Sequence, residues 1–521
     1  MEKRSKGILG NRVVNKIKFL GHASIYIETS KVSIVTDPWF SKTGAFLHSW
    51  FQYPDNTEID FSWVQALDYV CISHEHQDHC DIEFLKTIPE SARIVIPQYH
   101  DNYLYNLLKA NLPNKVIQVK NREKLVMEDV VYTPIKQSVP GWNDCALLFD
   151  TPMGTIGDIN DMKLTEEDLI FIDENFDIDY LFIQYSGASW YPSVYSNYDD
   201  NEKTKLAKKK TYNKFRNVLN IYERLNPKYI VPCAGPPCFL DEKWFYLNSI
   251  KDNSFPDQSI FYNFFIKNYD EFRIIIPIPG DIIDSNSHTV NYINLAHPAF
   301  TDKKAYLEQY KGKRKDIINS KLEKLQNFDS SLLTKCHDYF IPLMESSQFL
   351  TKKINDRIVL RTEYENIIVD FEHKLTYCMA SPTSYAIPPF YTLKLESKYL
   401  NMIFDRTLTW EELLLSLRIE MSRTPDKYNE FLIVFLKFAN SDYYKYYEKH
   451  YHKTQRTDTF ELETNGKKYK VQKYCPHALG DLSKGSVVDG NIICPVHSWA
   501  FSLKNGNCIN HNSKIFIENV Q

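Results

Sequence analysis

The stretch Ser73-His74-Glu75-His76-Gln77-Asp78-His79 places four metal-ligand side chains, His74, His76, Asp78 and His79, within six residues. Imidazole nitrogen and carboxylate oxygen suit zinc or iron, so the donors point to a metal and leave the ion open. The stretch follows Tyr69-Val70-Cys71-Ile72, an apolar run that reads as a buried strand. A tight turn after such a strand sets imidazoles at a sheet edge. His74 and His76 can then face one metal position, while Asp78 and His79 turn towards a second or close the first. The other end of the chain carries Cys475-Pro476-His477 and, after sixteen residues, Cys494-Pro495-Val496-His497. Two thiolates and two imidazoles can hold an iron–sulfur cluster or a structural zinc.

The elements that must position these groups are legible in outline. Residues 12–37 read as three short strands, with Thr29-Ser30-Lys31 turning between 25–27 and 32–35. A helix is expected through Phe84 and Leu85, a strand over 94–97, a helix over 102–112, and further strands near 115–119 and 130–132. The aromatic segment 46–54, with His48, Trp50 and Phe51, either walls a pocket or packs. The lysine-rich stretch 203–216 reads as a helix with a solvated face; docking of an acidic redox partner or an anionic substrate is the alternative. In the middle of the chain, 306–326 has helical spacing, 357–361 and 367–371 alternate like strands, and Thr409-Trp410-Glu411-Glu412 resembles a capping box. No catalytic constellation stands out there, and a mixed α+β module is expected.

Composition narrows the class. A chain of 521 residues with a formal net charge of -4 has no basic excess to bind nucleic acid. Met1-Glu2-Lys3-Arg4-Ser5-Lys6 lacks a following apolar core, so no secretory signal is expected. No apolar run approaches a membrane span, and the expectation is a soluble, cytoplasmic protein. The ten cysteines are scattered, which favours reduced thiols or metal ligands over disulfides.

His-x-His-x-Asp-His resembles the signature of the metallo-β-lactamase fold. Gly21-His22-Ala23-Ser24 with Thr36-Asp37-Pro38-Trp39 looks like its lactonase-like branch, which includes N-acyl-phosphatidylethanolamine phospholipase; the likeness covers roughly 12–285. The resemblance implies that Asp37 orients the metal turn through hydrogen bonds and that Asp158, in Ile156-Gly157-Asp158, binds or bridges metal, with Asp161 a weaker competitor. His22 reads equally as a supporting residue of the site or as a core histidine. The chain departs from the family twice. Gln137 stands where a third histidine belongs, and Cys233 follows the strand that should precede the last one. What remains, His74, His76, Asp78, His79 and Asp158, still suits non-haem iron with open positions.

The two Cys-x-His-type loops resemble a Rieske domain. In such a domain Cys475 and Cys494 hold one iron of a [2Fe–2S] cluster and His477 and His497 the other, which raises the potential to between about -150 and +300 mV. The pairing of the two ends resembles CMP-N-acetylneuraminate monooxygenase, with the domain order reversed, so the likeness implies architecture and chemistry and not a CMP-sugar. The expected layout is an αββα metallo-β-lactamase sandwich over 1–285, a mixed α+β connecting module over 286–455, and an all-β Rieske domain over 456–521. The expected activity is a Rieske-dependent iron oxygenase that hydroxylates a small polar molecule. It would use mono- or dinuclear non-haem iron (zinc as the alternative), dioxygen, and electrons from a ferredoxin, cytochrome or reductase. A zinc hydrolase with a redox-sensing Rieske domain and a non-catalytic electron-transfer protein are the competing readings.

Overall fold

The computed structural model describes residues 15–137, 143–249, 254–283, 293–325, 328, 330–379, 390–454, 457–476, 479–495, 499–509, 511 and 513–520. Two sheets face each other in the N-terminal half. The first has seven strands, in the spatial order Ile282–Ile283, Lys16–Gly21, Ser24–Glu28, Ser33–Thr36, Tyr69–Cys71, Arg93–Pro97 and Val116–Val119. Tyr69–Cys71 lies parallel to both of its neighbours and is buried throughout, as the apolar run requires of an inner parallel strand. The second sheet has six strands, ordered Tyr229–Cys233, Ile178–Gln184, Gly154–Asn160, Cys145–Thr151, Val130–Lys136 and Leu125–Met127.

Inward-facing side chains such as Phe19, Ile25, Tyr132, Phe149, Ile156 and Phe182 fill the space between the sheets. The helices Glu166–Asn175, Asp200–Leu225 and Gln258–Phe265 cover the outer face of the second sheet, and Ile82–Leu85 with Tyr103–Asn111 cover the first. This is the αββα sandwich, and both sheets end on the edge that carries the histidine-rich turn.

The middle module is a five-stranded mixed sheet, Leu375–Met379, Asn366–Asp370, Arg357–Arg361, Tyr391–Lys394 and Glu420–Arg423 in order. Helices Leu333–Ser346, Glu430–Phe438 and Ser441–Thr454 pack beside it. Its apolar core runs on into the sandwich without a break, taking in Trp39, Phe46, Trp50 and Tyr195. The aromatic segment therefore packs: Phe46 and Trp50 join this core, and Phe51 and Tyr53 pack with Leu307 and Tyr310. Arg418 Nη2 meets Asp241 Oδ2 at 2.7 Å across the boundary, both side chains under a tenth exposed.

Two three-stranded sheets form the C-terminal domain, Thr459–Thr464 with Lys467–Gln472 and Ile517–Val520, and Ser486–Val488 with Asn491–Ile493 and Ala500–Ser502. Its core holds Cys475, Cys494, Trp499 and Phe501. Gly506 turns at a φ of +75°, where a side chain would strike the carbonyl of Ile515. The domain reaches the middle module through Tyr428, set edge-on to His511 at 5.3 Å, and the sandwich through Lys484 Nζ, 3.1 Å from Glu166 Oε2. Among the described residues no helix is long and apolar enough to cross a membrane.

Candidate metal centre and the cavity beside it

Asp37 is the anchor of the centre. It follows Ser33–Thr36 in a left-handed conformation, φ +35°, which a short polar side chain tolerates when its hydrogen bonds hold it. Its Oδ1 accepts the Ser73 amide at 2.7 Å, and its Oδ2 accepts the Ser73 hydroxyl at 2.6 Å and His79 Nδ1 at 2.9 Å. One buried carboxylate thus fixes the start and the end of the histidine turn.

The hydrogen bonds also fix which imidazole nitrogens are free. Ser73 gives its hydrogen to Asp37 and so accepts from His74 Nδ1 at 2.8 Å, which leaves a lone pair on His74 Nε2. Glu411 Oε1 lies 3.1 Å from His76 Nε2 and accepts from it, leaving a lone pair on His76 Nδ1. Those two nitrogens are 2.9 Å apart. Two lone pairs at that distance require a cation, either a proton or a metal ion. His79 Nε2, fully buried and without a hydrogen-bond partner among the described residues, points the same way.

Among the described residues two groups of side chains bring their ligand atoms within 4.8 Å of one another, His74 with His79 and Asp161, and His22 with Asp78 and His79. His79 Nε2 is 3.8 Å from Asp161 Oδ1 and 3.9 Å from Asp78 Oδ2, and His22 Nε2 is 3.1 Å from Asp78 Oδ2. Burial disfavours a charge on His79, yet Asp78, Asp161 and Asp37 outweigh it and raise the imidazole's pKa to about 10. The pocket favours positive charge, and its nitrogen and oxygen donors fit zinc or iron.

Several expected residues are placed differently. Asp158 lies fully buried within Gly154–Asn160 and joins neither group; burial, with Asp37 next, raises its pKa well above the usual range. The strand ends at Asn160, which turns left-handed at φ +39° and swings Asp161 towards His74 and His79. Gln137 faces away from ligand duty, its Oε1 accepting the Lys163 amide at 2.9 Å. Cys233 sits in the core between the sheets, where burial raises its thiol pKa. His22 joins the second group through Asp78. Its ring packs edge-on to Trp39 at 4.8 Å.

Glu411 and Lys437 bring the middle module into the site. Glu411 is the second residue of the helix Trp410–Leu415, which the Thr409–Glu412 capping box starts. Lys437 Nζ pairs with the same Glu411 oxygen at 2.7 Å. Burial opposes ionisation of Glu411, but Lys437 and His76 hold its pKa down to about 2.

A cavity of about 670 Å³ opens beside the centre. His76 and Asp161 line it from the sandwich, Glu411 and Lys437 from the middle module, and Pro476, Trp499 and His511 from the C-terminal domain. Pro476 adjoins Cys475. Cys475 and Cys494 are each 1 % exposed, and backbone bonds close their loops: Cys475 N–H to Gly480 O at 2.9 Å and Cys494 N–H to Trp499 O at 2.8 Å. His477 and His497 lie outside the described residues. The lysine-rich helix is not simply solvated, since Lys210 and Lys214 line the same cavity.

The fold and its two sites define a metallo-β-lactamase fold joined to a C-terminal Rieske domain. Residues 16–141 match a model described as a beta-lactamase superfamily domain, 441–517 a Rieske [2Fe-2S] domain, and 332–453 an Rv3818-like, SCP2-like domain. A Mycolicibacterium smegmatis protein named for a Rieske 2Fe-2S iron-sulfur centre is 27% identical over 526 residues, covering 95% of this chain and 98% of its own. Among solved structures, a possible metal-dependent hydrolase from Veillonella parvula is 13% identical with a TM-score of 0.39, over 52% of this chain and 100% of its own. CmlA, a diiron beta-hydroxylase from Streptomyces venezuelae, is 15% identical with a TM-score of 0.36, over 52% and 54%.

Proposed function

We propose that the protein is a Rieske-dependent non-haem iron oxygenase that hydroxylates a C–H or N–H group of an organic substrate with dioxygen and electrons from a soluble donor in the cytoplasm. The observation that carries this reading is the shared cavity, walled by His76 and Asp161 on one side and by Pro476, Trp499 and His511 on another. A hydrolytic metal has no use for an electron, whereas a Rieske cluster does little but pass one at a time. The chemistry supplied by bound iron and cluster is R–H + O₂ + 2 e⁻ + 2 H⁺ → R–OH + H₂O, with the electrons delivered singly by the donor.

The chain's own residues do the rest. His74, His76, His79 and Asp161 would hold one ion, with His22 and Asp78 available for a second or to close the first. Asp37, Ser73 and Glu411 keep the imidazoles turned inward. The aromatic and aliphatic walls exclude water. Burial raises the Glu430 carboxyl to about 8, so it keeps a proton at the cavity wall at neutral pH. The chemistry follows the likeness to CMP-N-acetylneuraminate monooxygenase; a sugar nucleotide does not follow from these walls.

The test is iron and zinc content per chain together with low-temperature EPR of the dithionite-reduced protein. A Rieske signal with roughly one or two irons beyond the cluster's pair is the expected result. Zinc at the second site would turn the reading to a redox-gated hydrolase, and a second site that stays empty after anaerobic iron loading would leave an electron-transfer protein.

A further inference from the structure

We infer that the cavity takes an organic anion with an apolar body, its charged group held by Lys210 and Lys214 and its body laid on the aromatic wall. The inference rests on the oxygenase reading only for calling that ligand the substrate.

The helix Asp200–Leu225 presents Leu206, Lys210, Asn213, Lys214 and Asn217 to the cavity. Steps of three and four put these residues on one stripe. Lys210 Nζ donates to Ser189 Oγ at 2.8 Å and to the Tyr191 carbonyl at 2.9 Å; Lys214 Nζ donates to Gln184 Oε1 at 2.5 Å. All three acceptors are neutral. An ammonium has three donors, so among the described residues Lys210 keeps one and Lys214 two. Gln184 in turn donates to Asp161, which ties Lys214 to the metal centre through one side chain.

The acids along the same walls are already answered. Glu411 pairs with Lys437 at 2.7 Å, and Asp426 with Arg423 at 2.7 Å. Asp161 faces the metal position. Burial raises the pKa of both Asp144 and Glu430. Lys210 and Lys214 have no carboxylate within ion-pair distance among the described residues. Burial, with Lys163 nearby, lowers the pKa of Lys210 to about 8 and holds that of Lys214 well below its ordinary value. An anion entering the cavity relieves that penalty through charge-assisted hydrogen bonds. Trp190, Tyr191, Tyr195, Tyr447, Tyr451 and Trp499 offer apolar faces to the rest of the ligand, and the volume suits one compact organic molecule. The small polar substrate expected from the sequence thereby becomes an amphipathic acid.

The test is a fluorescence titration of the full chain with anilinonaphthalene sulfonate, an aromatic anion, and with its uncharged counterpart N-phenylnaphthylamine. The sulfonate is expected to bind more tightly. Lys210→Gln and Lys214→Gln should each weaken it by about tenfold, the typical worth of a hydrogen bond to a charged group, and leave the neutral dye unchanged. Lys214→Arg, which keeps the charge, should retain binding, and the exposed Lys205→Gln should change nothing. Equal binding of both dyes, or full sulfonate affinity in the folded Lys210→Gln/Lys214→Gln protein, overturns the inference. If the lysine variants do not fold, competition on the unaltered protein decides: octanoate should displace the sulfonate and octanol should not, and equal displacement overturns it. None of these readouts needs iron or electrons, so failure here is separate from failure of the oxygenase reading, which metal content and EPR report.

Discussion

Glu411 Oε1 lies 3.1 Å from Nε2 of His76, so a carboxylate carried by the middle module holds an imidazole of the metal motif in its ligating tautomer. The two residues are far apart in sequence and come from different folding units. Carboxylate support of a ligand histidine commonly contributes 10- to 100-fold in metal affinity, as an order of magnitude. Glu411→Gln should therefore weaken the N-terminal metal by about tenfold or more and leave the Rieske EPR signal intact. Metal retained after dialysis against a graded chelator series measures this, and unchanged retention would refute the role.

His22 offers a second test of the centre. With Gln137 and Cys233 standing where histidines belong, His22 is the imidazole left to complete a position with Asp78 and His79. His22→Ala should lower the metal stoichiometry while an ion held by His74, His76, His79 and Asp161 stays bound. The ratio of metal to protein, read beside a circular dichroism spectrum, decides. A full complement of metal would return His22 to a packing role.

Cys475 tests the proposed electron route. Cys475→Ser should abolish the Rieske EPR signal and bring reductant-dependent dioxygen uptake to background, with N-terminal iron still present. Uptake at the wild-type rate would rule out the cluster as relay.

Across the boundary between sandwich and middle module, Arg418 and Asp241 form a buried pair. Arg418→Met strands the Asp241 carboxylate in a poorly solvated place, which costs about 3 kcal/mol or more. A lower denaturant midpoint for the folded assembly is expected, and a midpoint within error of wild type would count against the pair as a clamp.

Glu430 sets a pH dependence. In the folded chain its carboxyl holds a proton up to about 8, against 4.5 for the ordinary group, because burial disfavours the charge. The unfolded chain ionises first, so the stability linked to this group is complete below the ordinary value and is lost as pH rises towards 8. Glu430→Gln should remove that loss, and its melting temperature should gain on wild type between about pH 5 and pH 8. Parallel melting curves at both pH values would contradict the assignment.

How much of this was legible depended on distance along the chain. The histidine turn and the Cys-x-His loops read clearly because their ligands are neighbours in sequence. Asp37 stood out because a strand end and a following proline mark the place. Asp161 was harder to read than Asp158, because the strand pattern cannot reveal that Asn160 turns left-handed and brings Asp161 towards His74 and His79. Lys210 and Lys214 were hidden among lysines at 203, 205, 208 and 209, where no apolar contrast marks the inward stripe. Glu411 was invisible for a plainer reason. The adjoining contact, Gln77 to Glu412, joins residues 335 positions apart, and one sequence carries no signal of such a pairing.

That separation bears on how the protein is made. The ribosome releases the histidine turn long before it releases Glu411, Lys437 or Trp499. Until those arrive, the turn faces the cell with one flank unbuilt. The cavity beside the turn takes shape only when those later segments pack against it. On this schedule the chamber is the last part of the molecule to be finished, and the order of the three modules along the gene is also an order of assembly.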